Sequence, residues 1–398
     1  MKRIFLTAVG LALLLTSLKA QTPASDSSGY KSRQLKLDEI NFVSSYYSQN
    51  GNNSAVTGGI GTEKLNDFAN VIDLNLMRYD KHSRKHTLGL EAGIDHYTSA
   101  SSDLIDLKAN SSASHADTRI YPSVNYTVEN EAKGLTIGGG LAYSTEFDYQ
   151  SYGANVIVAS KTKNRSGELT FKFQTYLDKV SIIKPVELRT QQRGDNENYP
   201  TSARNTFAGS LSYSQIINEK LQVMFLADLI TQQGYLSLPF HRVYFNDASV
   251  HQESLPESRL KIPLGFRASY FVGDKVIVRA YYRFYQDDWG LTAHTANLEI
   301  PVKLTPFLSI SPFYRFYDQT AARYFKPYKI HISGDQYYTS NYDLSSFSSN
   351  FYGAGIRIAP PKGIFGFQHF SMLELRYGHY TKNVGMNSDI ISLNLKFK

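Results

Sequence analysis

The densest run of chemically capable side chains is Tyr281-Tyr282-Arg283-Phe284-Tyr285-Gln286-Asp287-Asp288-Trp289-Gly290-Leu291-Thr292-Ala293-His294-Thr295, which holds the only Trp of the chain. A second run, Tyr314-Arg315-Phe316-Tyr317-Asp318-Gln319, follows it closely. On an extended backbone, alternate residues share a face. Arg279, Tyr281, Arg283 and Asp287 then stand together, and Arg267, Glu299, Arg315 and Tyr317 join them from neighbouring segments. Such a set supports two roles. It can form a charged constriction that focuses a field on passing solutes, or its ion pairs and phenols can brace an interior, since buried charges need partners either way. Asp287 and Asp288 are adjacent and so point to opposite faces, which argues against a shared metal. Calcium on this turn or on Arg193-Gly194-Asp195-Asn196-Glu197-Asn198 would use oxygen ligands, but acidic turn residues are more often simply solvated. No metal site and no cofactor are expected.

The elements that must carry these residues are strands. In the closing segment Ile391-Ser392-Leu393-Asn394-Leu395-Lys396-Phe397-Lys398, apolar and polar residues alternate, the period of a sheet with one apolar face. Sixteen such segments can be read, from Leu37–Tyr47 to Asp389–Phe397, an even number typical of bacterial membrane barrels. Short polar turns, such as Asn130–Gly134, Lys163–Gly167, Val272–Asp274 and Pro360–Gly366, follow even-numbered strands. The long loops near Ser48–Ala69, Ser99–Asp117, Asp178–Arg204, Gln232–Ser258 and Gln319–Ser346 follow odd-numbered ones. This parity is that of an up-and-down barrel with short periplasmic turns and long outer loops, and a sandwich has no reason to sort its loops so. The alternation puts Val276, Val278, Ala280, Tyr282 and Phe284 on the lipid side, with Leu308, Ile310, Pro312, Tyr314 and Phe316. Ser309, Ser311, Phe313, Arg315 and Tyr317 face the lumen. A lipid-facing Arg near the bilayer midplane would cost ~2–4 kcal/mol.

Composition agrees. Lys2 and Arg3, the apolar stretch from Ile4 and the small Ala20 read as a signal peptide over residues 1–20, leaving a short periplasmic segment 21–36 and a barrel over 37–398. So short a segment before the first strand is too little for a plug domain. There is no Cys, which excludes disulfides and thiolate chemistry. No apolar run reaches the ~18 residues of a membrane helix. The 29 Tyr and 23 Phe suit interfacial aromatic girdles. The formal charge of +7 is a mild excess without a Lys/Arg run, so a nucleic-acid partner is not expected; anionic solutes or lipopolysaccharide fit better.

Further motifs Leu238-Pro239-Phe240-His241-Arg242-Val243-Tyr244-Phe245, Glu253-Ser254-Leu255-Pro256-Glu257-Ser258-Arg259, Asp288-Trp289-Gly290, Ala293-His294-Thr295 and Val56-Thr57-Gly58-Gly59-Ile60-Gly61-Thr62 carry a resemblance. The chain resembles a family of bacterial outer-membrane barrels classed as a domain of unknown function. That resemblance implies residence in the outer membrane of a Gram-negative cell. It also implies a genomic association with small lipoproteins, thioredoxin-like proteins and flavin transferases, hence a periplasmic lipoprotein or thioredoxin-like partner.

The sequence therefore leads to an outer-membrane barrel that is porin-like, a channel or facilitator for small polar solutes. Its gate is expected in inward-folded loops, with Phe240, His241 and Arg242 in a loop too apolar to hang free. The alternative is a non-conducting, plugged barrel serving as scaffold. A lipid hydrolase ranks third, because no nucleophile elbow is present, and the protein is not expected to be an enzyme.

Overall fold

The computed structural model describes residues 33–98, 116–189 and 199–398. The signal-peptide reading, most of the segment 21–36, almost all of the loop Ser99–Asp117 and the run Arg193–Asn198 lie outside these residues. Sixteen long strands follow one another: β1 Lys36–Asn50, β2 Leu65–Tyr79, β3 Lys85–Thr98, β4 Ala116–Asn130, β5 Leu135–Thr145, β6 Tyr149–Lys161, β7 Gly167–Ser181 and β8 Thr201–Asn218. They continue with β9 Leu221–Gly234, β10 Ser258–Val272, β11 Val276–Asp287, β12 Thr292–Glu299 extended by Val302–Lys303, β13 Leu308–Gln319, β14 Phe347–Ile358, β15 Phe370–Lys382 and β16 Met386–Phe397. Pro301, which has no N–H to give a ladder, sits at the break in β12.

Each strand pairs antiparallel with its sequence neighbour, and β1 pairs with β16 from Ile40 opposite Phe397 to Asn50 opposite Asn387. The sheet is closed and leaves no edge. Its outer face is apolar and bare: Leu141 is 64% exposed, and Val156, Phe171, Phe225, Leu229, Leu264 and Ile356 are exposed as well. A water-soluble protein would not leave so continuous an apolar belt uncovered. A barrel whose wall faces hydrocarbon must, because all backbone groups are paired within the sheet and the side chains are the solvent-facing layer. Phe266 lies opposite Tyr282, and Leu298 opposite Tyr314. The outward set on β11 and β13 is therefore the apolar one expected from alternation.

One end of the barrel carries the connections 80–84, 131–134, 162–166, 219–220, 273–275 and 304–307, all brief. The expected short polar turn at Pro360–Gly366 is longer, 359–369, and its aromatics are not tucked in: Phe365 is 86% exposed and Phe367 also projects. Pro360 and Pro361 stop β14 early, and Phe365 adopts φ +52° in a 3-10 turn. The opposite end carries the long loops 51–64, 235–257 and 320–346, with tight turns at 146–148, 288–291 and 383–385 between them.

Candidate functional site: the lumen and its loop cap

Lumen-facing residues from neighbouring strands fall into register rows. In one row Arg267 faces Tyr281, Tyr281 faces Asn297, Asn297 faces Arg315 and Arg315 faces Phe351. Two residues closer to the loop end, Arg283 lies opposite Gly265 and Thr295, and Thr295 opposite Tyr317. Two residues in the other direction, Arg279 meets Glu299 at 3.5 Å. Arg267, Arg279, Tyr281, Arg283, Glu299, Arg315 and Tyr317 thus share one wall of the lumen. Arg267 stands 5.7 Å from the Tyr281 ring and Arg315 5.6 Å from the Phe351 ring, both exposed to the lumen. The wall also holds Arg376, which bridges Glu299 and Glu374 at 3.0 Å each and lies 5.1 Å from the Phe313 ring. Sequence reading missed Arg376. Its signal was the alternate pair Glu374 and Arg376 on an already recognised strand, but its reach to Glu299 crosses the two intervening strands β13 and β14, a contact that alternation cannot show.

Asp287 is placed differently. Its side chain is 0% exposed and is held by Arg259 Nε at 2.9 Å, the Tyr285 hydroxyl at 2.8 Å and the Leu291 backbone N–H at 3.0 Å. Arg259 also stacks 4.2 Å from the Trp289 ring, whose Nε1 donates to the Ser258 carbonyl at 2.9 Å. Trp289 packs with Leu255 and Ala322, and Arg323 donates to the Asp288 carbonyl. These residues anchor loops to the rim rather than line a passage. His294 lies on the outer wall, 2.7 Å from the Tyr282 hydroxyl. The Tyr317 hydroxyl donates to Gln319 at 2.5 Å.

Across the lumen, β2–β7 carry an acidic wall that the sequence reading did not single out. Asp67, Asp73, Glu91, Asp95 and Asp178 face inward there, because their neighbours Phe68, Leu90, Ile94 and Leu177 face out. Near the loop end tyrosines tie the carboxylates down. Tyr121 donates to Asp95 at 2.8 Å beside Arg119, Tyr97 donates to Glu146, and Tyr149 to Asp178. In the 146–148 turn, burial and then the nearby carboxylates of Glu146 and Asp117 push Asp148 up to about 7. The residues are scattered over more than a hundred positions without a motif, so alternation alone did not mark them as one group.

The loops interlock over this end. The 235–257 loop springs from between β9 and β10, yet Arg242 Nη1 donates to the Val56 carbonyl at 2.8 Å, and Val56 lies between β1 and β2. In a sixteen-strand cylinder those points are diametrically opposite, so the two loops together bridge the mouth. Arg242 is 3% exposed and forks onto Glu187, its Nη2 at 2.9 Å. Burial would raise the Glu187 carboxyl, but the Arg242 hydrogen bonds outweigh it and hold Glu187 below the ordinary range. Phe240, at φ +64°, packs with Val56 and Ile183. His241 has its Nδ1 3.6 Å from Glu253, whose carboxylate accepts from the Leu238 N–H at 2.7 Å and the Thr339 hydroxyl at 2.6 Å. The loop's own hairpin, Arg242–Tyr244 with Val250–Gln252, seats Phe245 against Tyr338 and the fully buried His331 of the 320–346 loop. There Lys326 at 2.6 Å and then His331 hold Asp335 down at about 2. The 51–64 loop fits only because of glycine. A Cβ on Gly58 would come 2.5 Å from the Tyr244 ring, and both Gly58 and Gly59 have positive φ near +80°. Arg204 donates to the Tyr235 and Ser237 carbonyls at 2.8 and 3.0 Å and ties the bridge to the wall.

Among the described residues no cluster of three or more His, Asp or Glu is arranged to hold a metal. A family model described as a protein of unknown function (DUF3570) matches residues 106–384. No curated protein matches the chain. Solved structures with a similar path include OpdK of Pseudomonas aeruginosa with vanillate, at 8% identity over 92% of this chain and 99% of that one, TM-score 0.41. Others are OccAB1 of Acinetobacter baumannii, at 8% over 93% and 98%, TM-score 0.43, and a BenF-like porin of Pseudomonas fluorescens Pf-5, at 8% over 92% and 100%, TM-score 0.43.

Proposed function

This chain belongs to the DUF3570 family of proteins of unknown function, and from its own geometry we propose that it is an outer-membrane channel for small polar solutes, gated by the loops that bridge its mouth. The observation that carries the reading is the wet wall of guanidinium groups. Arg267, Arg283 and Arg315 have no carboxylate partner among the described residues, and a barrel serving only as a brace gains nothing from unmatched, mutually repelling cations. Facing them is a wall rich in carboxylates, so the lumen has a transverse field that sorts solutes by charge. A cylinder of this strand number is wide enough for an aqueous path. The interlocked cap restricts entry to that lumen from the loop end.

A second reading is a closed barrel that docks a periplasmic partner, such as a lipoprotein or a thioredoxin-like protein. The exposed Phe365 and Phe367 at the short-turn end favour it. Single-channel recording of the refolded protein in a planar bilayer separates the two. The channel reading expects discrete steps whose ion selectivity moves toward cations in Arg283→Ala and Arg315→Ala. A silent bilayer with folded, inserted protein would leave the docking reading.

A further inference from the structure

We propose that the recess beside Arg315 on the basic wall is a binding site for small organic carboxylates that carry an apolar body. The inference deepens the channel reading, which supplies the route of entry. The lumen's guanidinium groups divide into two kinds. Arg119, Arg259 and Arg376 are satisfied by Asp95, Asp287, and Glu299 with Glu374. Arg315 has no carboxylate and no hydrogen bond among the described residues. It is steadied over the Phe351 ring at 5.6 Å, with its face open to the lumen. A planar fork held in place but unmatched is suited to a carboxylate, which it engages through two parallel hydrogen bonds.

The surroundings define the rest of the ligand. An open recess of about 200 Å³ lies here, lined by Asn297, Glu299, Phe313, Arg315, Phe351 and Arg376. Glu299 is neutralised by Arg376 at 3.0 Å and Arg279 at 3.5 Å, so the unmatched charge of the recess is that of Arg315. The register sets Arg283 two strands away on β11 and Arg267 three strands away on β10, along the same lumen wall, and like charges on one wall draw counter-ions from solution. Asn297, directly opposite Arg315, adds an amide donor. Two phenyl rings in the lining reward hydrocarbon and offer nothing to a fully hydrated inorganic anion. The preferred occupant is therefore a carboxylate with a short apolar tail rather than phosphate.

The test uses the full chain and three probes: pentanoate, its neutral isostere pentanamide, and inorganic phosphate. In the bilayer, pentanoate at millimolar concentration should interrupt the current, while pentanamide and phosphate should not. Arg315→Gln should weaken the block by about tenfold or more, the loss of charge-assisted hydrogen bonds. Arg357→Gln, a guanidinium on β14 opposite the lumen-facing Ser309 and outside the recess, should leave it unchanged. Titration calorimetry of the detergent-solubilised protein measures the same binding without current. Pentanoate binding that Arg315→Gln abolishes, in a protein that does not conduct, would keep the site and end the channel reading. Conductance with no pentanoate-dependent block and no heat would end the site and keep the channel. Equal block in Arg315→Gln, or equal block by phosphate, would also overturn the assignment.

Discussion

The two halves of the lumen treat charge in opposite ways. On β2–β7 the carboxylates near the mouth are enclosed: Asp95 and Asp178 are buried, and tyrosine hydroxyls and Arg119 occupy them. On β10–β14 the guanidiniums of Arg267 and Arg315 are wet and unmatched. The same residue type changes role across one strand pair. Arg259 is locked to the enclosed Asp287, while Arg267, eight residues along the same strand, faces water. Charge in a barrel interior is therefore not a role in itself. Near the rim it fastens loops to the wall; at mid-strand some of it is paired, as in Arg376 with Glu299 and Glu374, and some, as in Arg267 and Arg315, is left for the solvent and what the solvent carries.

The largest test of that division is removal of what the rim holds. Deleting Gly234–Pro256 takes away the bridge to Val56 and the contact with His331, and should raise single-channel conductance several-fold. An unchanged step size would mean that the loop covers the mouth without limiting flow. Next comes the contrast between two arginines. Arg259→Ala strands a buried carboxylate and should cost roughly 3–5 kcal/mol, read as a lowered denaturant midpoint of the micelle-bound barrel. Arg315→Ala should change stability by no more than about 0.5 kcal/mol, as an exposed substitution does. Equal losses in the two variants would erase the distinction between brace and track.

The smallest expected effect concerns pH. The Asp148 carboxyl is raised from the ordinary value of 3.8 to about 7, so the folded protein favours its neutral form. The stability this provides is complete below pH 4 and fades as pH rises through 7. Over the same window the rim gains negative charge. The wild type should therefore lose a little stability and gain cation preference between pH 5 and 8, and Asp148→Asn should flatten both slopes. Parallel slopes in the variant would place the titration elsewhere.

Much of this was legible in the chain. A two-residue period, interrupted by turns whose length depends on strand parity, determines sixteen strands and the direction each side chain points, because a strand has only two faces and hydrocarbon tolerates only one kind. It put Arg267, Arg283 and Arg315 on the lumen side without any coordinates. What the period could not reveal is who meets whom around the cylinder. Arg376 reaches Glu299, and Arg242 reaches Val56, across separations of 77 and 186 residues. The acidic wall assembles from strands that share no motif. Asp287 obeys the alternation yet ends enclosed, since its partner Arg259 comes from the neighbouring strand and stacks on Trp289 in the turn just after it. Facing is a local property fixed by backbone geometry. Pairing, burial and the crossing of the mouth depend on closure of the sheet, which no stretch of sequence contains by itself.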